Sequence, residues 1–218
     1  MNHYLELLSI LILLSSFILA AAKRIISYIW IFRLQSFLLV IMAGYLGAVN
    51  FRKEGDIDIL IICMVILVVK VIYIPRLLEN TFAKVAYKVE KDFFLNIPIS
   101  VLICCGLVML SYFSIFPIDD LREGVMKTYL VNSISVILIG LFFMISRKKA
   151  IGQIIGFLVI ENGLFIAALL SAHSMPILVD LGIFVDVLAG VMIMGVLVFR
   201  INENFESINI NKLRNLRG

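Results

Sequence analysis

The sequence predicts an all-α integral membrane protein, a bundle of about seven transmembrane helices, and three observations carry that expectation. Of the 218 residues, 62% are hydrophobic and only 16% are charged. The mean hydropathy of +1.10 is far above what a soluble domain carries. The apolar residues also fall in runs of roughly 20, the length a helix needs to cross about 30 Å of hydrocarbon at 1.5 Å per residue.

Taken in order, the spans are 4–22, 26–49, 57–74, 97–116, 125–145, 150–172 and 176–199. The first has the length of a signal peptide, yet Lys23 and Arg24 follow its apolar run and no small-residue cleavage pattern is evident, so it reads as a retained helix. The third is expected to end at Ile74. Beyond it, stretch 76–95 alternates charge (Glu79, Lys84, Lys88, Glu90, Lys91, Asp92) with Phe82, Val85, Val89 and Phe93. That pattern suits an amphipathic helix at the headgroup level or a solvated connector. The sixth and seventh spans are joined by a tight turn at His173–Pro176 and so pack antiparallel. The organisation is a four-helix region 1–125, a three-helix module 126–200 and a tail 201–218. The tail carries Phe205, Ile208, Ile210, Leu213 and Leu216, too apolar for a free tail, and is suited to docking on a partner.

Lysine and arginine set the orientation. One set of alternating loops holds Lys23, Arg24, Arg76, Lys84, Lys88, Lys91, Arg147, Lys148, Lys149, Arg200, Lys212, Arg214 and Arg217; the other holds Arg52, Lys53, Arg122 and Lys127. The richer side is expected in the cytoplasm, with the N-terminus outside and the C-terminus inside. The net charge of +4 thus serves membrane orientation, and nucleic-acid binding is set aside. Cys63, Cys104 and Cys105 lack metal-ligand or disulfide spacing and read as small packing residues.

Glu161 lies in the middle of the run 151–170. Ionising a carboxyl at that depth is costly, so it must be neutral or paired, and one that exchanges a proton there is a relay candidate. Asp186 lies on the last span, and it and Glu161 are equidistant from the His173–Ser174 bond, which places both at equal depth on antiparallel helices. Gly156 and Gly163 beside Glu161, and Gly182, Ala189 and Gly190 around Asp186, would let these two helices approach closely. Asp180 and His173 extend a titratable ladder toward the outer surface, although a carboxylate at a helix start is also favoured by the dipole. Lys70 and Arg33 are expected to snorkel to the cytoplasmic interface, and Glu6 to stay hydrated on the other side. Gln35, Asn132 and Asn162 would face lipid unless turned inward, and burial against other subunits is the cheaper arrangement in hydrocarbon.

The runs Arg147–Ala150, Gly156–Phe165, Asp180–Leu188, Met192–Gly195 and Phe199–Ile201, with Leu34–Ser36, Lys70–Leu78 and the tail from Phe205 to Leu216, resemble the component E family of hydrogenase-4-type membrane complexes. In that family the last three helices are similar to the K subunit of respiratory complex I, related to the C subunit of multisubunit cation/proton antiporters. The resemblance implies a membrane-arm subunit of a proton- or Na⁺-translocating [NiFe]-hydrogenase or formate hydrogenlyase complex, multi-pass in the inner (plasma) membrane. It implies antiporter-like membrane subunits and a soluble arm as partners, with the Fe–S clusters and the NiFe site in that arm and no cofactor in this chain. Glu161 matches the family's carboxylate on the penultimate helix, Asp186 stands where the complex I subunit has Glu, and Lys70 falls on a family position. These three, with Asp180, are the expected proton-relay residues.

The rival readings are a stand-alone secondary ion transporter and a subunit of a multisubunit cation/proton antiporter. The first often shows internal repeats, and none is visible between the first and last three spans. An intramembrane hydrolase has little support, with His3 and His173 both outside the core.

Overall fold

The computed structural model describes residues 2–55, 57–83, 96–117, 124–170 and Gly190. Every regular element among them is helical: α1 (Asn2–Ala21), α2 (Ile25–Glu54), α3 (Asp58–Ile66), a π-helical segment (Leu67–Tyr73), α4 (Ile74–Ala83), α5 (Ile97–Ile115), α6 (Gly124–Ser146) and α7 (Ala150–Leu170). Six helices among the described residues are long and apolar enough to cross a membrane, with α3, the π segment and α4 counting as one continuous rod, Ile59–Asn80. They fall where the first six spans were expected, while span 176–199, connector residues 84–95 and tail 201–218 lie outside the described residues.

The third rod departs from expectation. It runs through Pro75 to Ala83 instead of ending at 74. Pro75 has no N–H, and its ring crowds the carbonyl four residues back, which disfavours regular α geometry over the preceding turn. The wider π turn lies directly before it, with Ile74 N–H bonded to the Val69 carbonyl five residues back. After Pro75 the helix is amphipathic: Ile74, Pro75 and Leu78 are buried while Arg76, Glu79 and Asn80 are exposed. Arg33 Nη2 reaches Glu79 Oε1 at 3.0 Å, so Arg33 ties α2 to α4 at the partly exposed rim. On the other side of the rod, α2 stops at Gly55, whose φ of 73° closes the helix with a bond to the Phe51 carbonyl.

Helices α6 and α7 form the closest pair, and α1 and α2 pack on them and on each other. The glycines explain the fit. A Cβ on Gly156 would stand 2.8 Å from the Met144 backbone, and one on Gly163 would stand 2.7 Å from Ile137 Cγ1 and 3.0 Å from the Ser133 carbonyl oxygen. Gly140 meets the Ile160 amide and the Gly156 carbonyl in the same way. The small residues beside Glu161 therefore admit α6. That choice also fixes which way Glu161 points, because the glycine face and the carboxyl face of α7 are different faces.

At one end Arg147, which the sequence placed in a cytoplasmic loop, is buried. Its Nη2 donates to the Ala20 carbonyl at 3.0 Å and the Ala22 carbonyl at 3.4 Å, and its guanidinium lies 4.4 Å from the Phe143 ring centroid and 5.3 Å from that of Tyr28. The last carbonyls of α1 have no partner within their own helix, and this cation satisfies that of Ala20 and the one just beyond the helix at Ala22, clasping the α1–α2 turn to the α6–α7 turn. Helix α5 sits on the flank against α1 and α6, with Leu102, Met109, Leu110 and Phe113 exposed.

A candidate ion-carrying site at mid-membrane

Four helices bring their polar residues to one level. Glu161 on α7 and Gln35 on α2 both lie about 15 Å from the helix end nearest the Arg147 clasp, at 1.5 Å per residue. Lys70 occupies the middle of the π segment, and because the rod continues to Ala83 this is the interior of the span rather than its end. The expectation that Lys70 snorkels is therefore wrong: its side chain is 2% exposed, that of Glu161 is 3% exposed, and Lys70 Nζ lies 2.6 Å from Glu161 Oε1.

A pair this buried loses the hydration of both ions, and their mutual attraction compensates only when further hydrogen bonds complete the site. Here the ammonium also reaches Asn162 Oδ1 at 3.4 Å and lies 5.5 Å from the Phe165 ring centroid. Asn162 Nδ2 donates to Gln35 Oε1 at 3.1 Å. Gln35 Nε2 in turn donates to Ser16 Oγ at 2.9 Å and the Ile12 carbonyl at 3.3 Å. Ser16 Oγ donates to that same carbonyl at 3.2 Å. Donation thus runs one way, from Lys70 through Asn162 and Gln35 to α1, and each link turns an acceptor oxygen back toward the ammonium.

Gln35 and Asn162, together with Asn132, are accordingly inside the bundle and satisfied within it. Asn132 Nδ2 donates to Ser9 Oγ at 2.8 Å, and the neighbouring Ser133 Oγ donates to the Gly163 carbonyl at 2.8 Å. The expectation that these amides need other subunits for their burial is corrected: helix faces that looked scattered along the chain converge on one interior. The signal that could have found this was depth, since Gln35 lies as far from its helix end as Glu161 does from its own.

Of the expected relay residues the structure brings Lys70 and Glu161 into contact; Asp180 and Asp186 lie outside the described residues. Glu6, 30% exposed, lies near the free end of α1 with His3 Nδ1 at 3.8 Å. Cys63 Sγ donates to the Val40 carbonyl at 3.4 Å and Cys104 packs with Ala20 and Ile139. No group of three or more His, Cys, Asp or Glu among the described residues could hold a metal ion. What the buried pair can do is take one more proton on its carboxylate and release it, which needs neither metal nor redox centre.

Residues 128–218 match the family model of NADH-ubiquinone/plastoquinone oxidoreductase chain 4L. Over 166 residues the chain is 31% identical to the uncharacterized protein Rv0085 of Mycobacterium tuberculosis, which covers 76% of each. It is 24% identical over 151 residues to hydrogenase-4 component E of Escherichia coli and of Shigella flexneri, 69% of this chain and 70% of each relative. No solved structure matches the chain.

Proposed function

We propose, because the chain is similar to hydrogenase-4 component E over most of its length and its residues 128–218 match the chain 4L family model, that it is a membrane-arm subunit of an ion-translocating [NiFe]-hydrogenase or formate hydrogenlyase complex. The observation that carries the ion-translocating part is the Lys70–Glu161 pair, two charges held 2.6 Å apart in the interior of a transmembrane bundle. Stability alone gives little reason for such a pair, since well-packed apolar residues of the same volume do as well or better. Intramembrane ionisable residues of this kind mark ion pathways.

The pairing favours protons over Na⁺ at this position. A Na⁺ ion on either oxygen of Glu161 would lie within a few ångströms of the Lys70 ammonium, which would repel it in these weakly polar surroundings. A proton needs only a lone pair on Glu161. On this reading Asp186 and Asp180 continue the path, while the Fe–S clusters and the NiFe site belong to the partner subunits.

Two experiments bear on this placement. Purified in mild detergent, the tagged chain is expected to bring with it antiporter-like membrane subunits and an Fe–S hydrogenase arm; a solitary chain that moves ions in liposomes would reject the assignment. The lysine and arginine bias puts the N-terminus outside and the C-terminus in the cytoplasm. A cysteine beside Asn2 should therefore react with a membrane-impermeant thiol reagent in intact cells, and one beside Gly218 should not. The reverse labelling would overturn the orientation.

A further inference from the structure

We infer that Gln35 and Asn162 are positioning residues that hold the Lys70 ammonium in place while Glu161 carries the translocated proton. This rests on the reading of Glu161 as the proton-carrying group and says how the two buried groups divide the work. When a proton from the aqueous phase bonds to Glu161, the ammonium loses its counter-ion. In surroundings of low polarity it must then give up its own proton or be held by neutral acceptors.

The acceptor is in place. Asn162 Oδ1 faces Nζ, and its amide is polarised by the bond to Gln35 Oε1, itself fixed by two bonds to α1 through Ser16 Oγ and the Ile12 carbonyl. Hydrogen bonds that point the same way along a chain strengthen one another. All members of this rail are buried, and it crosses α7, α2 and α1 at one level. The rail is thus placed to hold the ammonium while the proton that arrives on Glu161 leaves from it. Without the rail, the state with Glu161 protonated and Lys70 charged is the one that suffers most.

Other titratable groups on the elements packed around the pair include Tyr28, Arg33, Tyr45 and Arg52 on α2, Arg33 being committed to Glu79, and His3, Tyr4 and Glu6 near the start of α1. Tyr73 and Arg76 lie further along the rod of Lys70, Tyr129 lies toward the far end of α6, and Arg147 is engaged with α1 beyond the near end of α6. Glu161 is the carboxylate in contact with Lys70.

The test is proton uptake by proteoliposomes containing the whole complex, recorded as a function of pH for Gln35→Met and Ser16→Ala. In Gln35→Met, a side chain of the same length that cannot accept from Asn162, the alkaline limb of the profile is expected to move to lower pH. The shift is about one pH unit, a tenfold loss of proton affinity from one weakened hydrogen bond near a charge. Ser16→Ala, which removes only the end of the rail, should shift the limb the same way by less. A structural role would lower uptake evenly across pH. A limb that stays in place in the assembled variants overturns the inference, and if Gln35→Met fails to assemble, Ser16→Ala decides alone. Glu161→Gln is run beside them: if that variant still takes up protons, the reading of Glu161 fails. If it does not, an unmoved limb counts against the rail only.

Discussion

Replacing Lys70 by methionine is expected to reduce the amount of assembled complex sharply and to abolish translocation in what remains. Methionine fills the volume of the lysine stem but leaves Glu161 facing the π segment without its cation at 2.6 Å. Breaking a buried pair from one side costs about 3–5 kcal/mol, several times the effect of an exposed ion pair. That is a large fraction of the stability of a domain this size. The stranded carboxyl lowers the cost by holding a proton, and a carboxyl that keeps its proton no longer exchanges one. The double variant Lys70→Met with Glu161→Gln separates structure from function. It has no stranded charge and is expected to restore the amount of complex in the membrane, measured by extraction and subunit composition, while translocation stays absent. A single Lys70→Met variant that assembles and translocates as the unaltered protein does would remove the pair from the mechanism.

The membrane class, the first six spans and the interior position of Glu161 were legible in the sequence because each depends on local hydropathy and on position along an apolar run. The place of Lys70 was not, and the reason is Pro75. A proline normally marks the end of a helix, so Lys70 fell near the end of the expected span; a π turn absorbed the missing N–H and carried the rod on to Ala83, which moved Lys70 to mid-depth. The contact of Glu161 with Lys70 was not legible for a related reason. Equal distance from the His173–Ser174 bond gives depth but says nothing about azimuth, and Gly156 and Gly163 serve the approach of α6. The convergence of Gln35, Asn162 and Ser16 needed three separate helices to be oriented about their axes, which hydropathy cannot supply when the helices are apolar nearly all round. Arg147 was hidden by its neighbours, since a basic loop reads as solvated until the open carbonyls of α1 are seen beside it.

Glu161→Gln carries the second large effect. The amide keeps the size of the acid and its capacity to accept from Lys70, so the glycine-packed contact of α7 with α6 is undisturbed and the subunit should assemble. It cannot take up or release a proton in the physiological range, so every cycle that loads Glu161 stops. Were Glu161 only a structural acceptor, the glutamine variant would translocate normally, and only an apolar replacement such as leucine would disturb the protein by leaving Lys70 and its rail unpaired. The deciding measurement is proton uptake coupled to hydrogen chemistry, in proteoliposomes holding the whole complex with Glu161→Gln and subunit composition verified on the same sample. An intact complex whose coupled uptake is lost is the predicted result; full coupled uptake by that intact complex would contradict the assignment of Glu161 as the proton-carrying group.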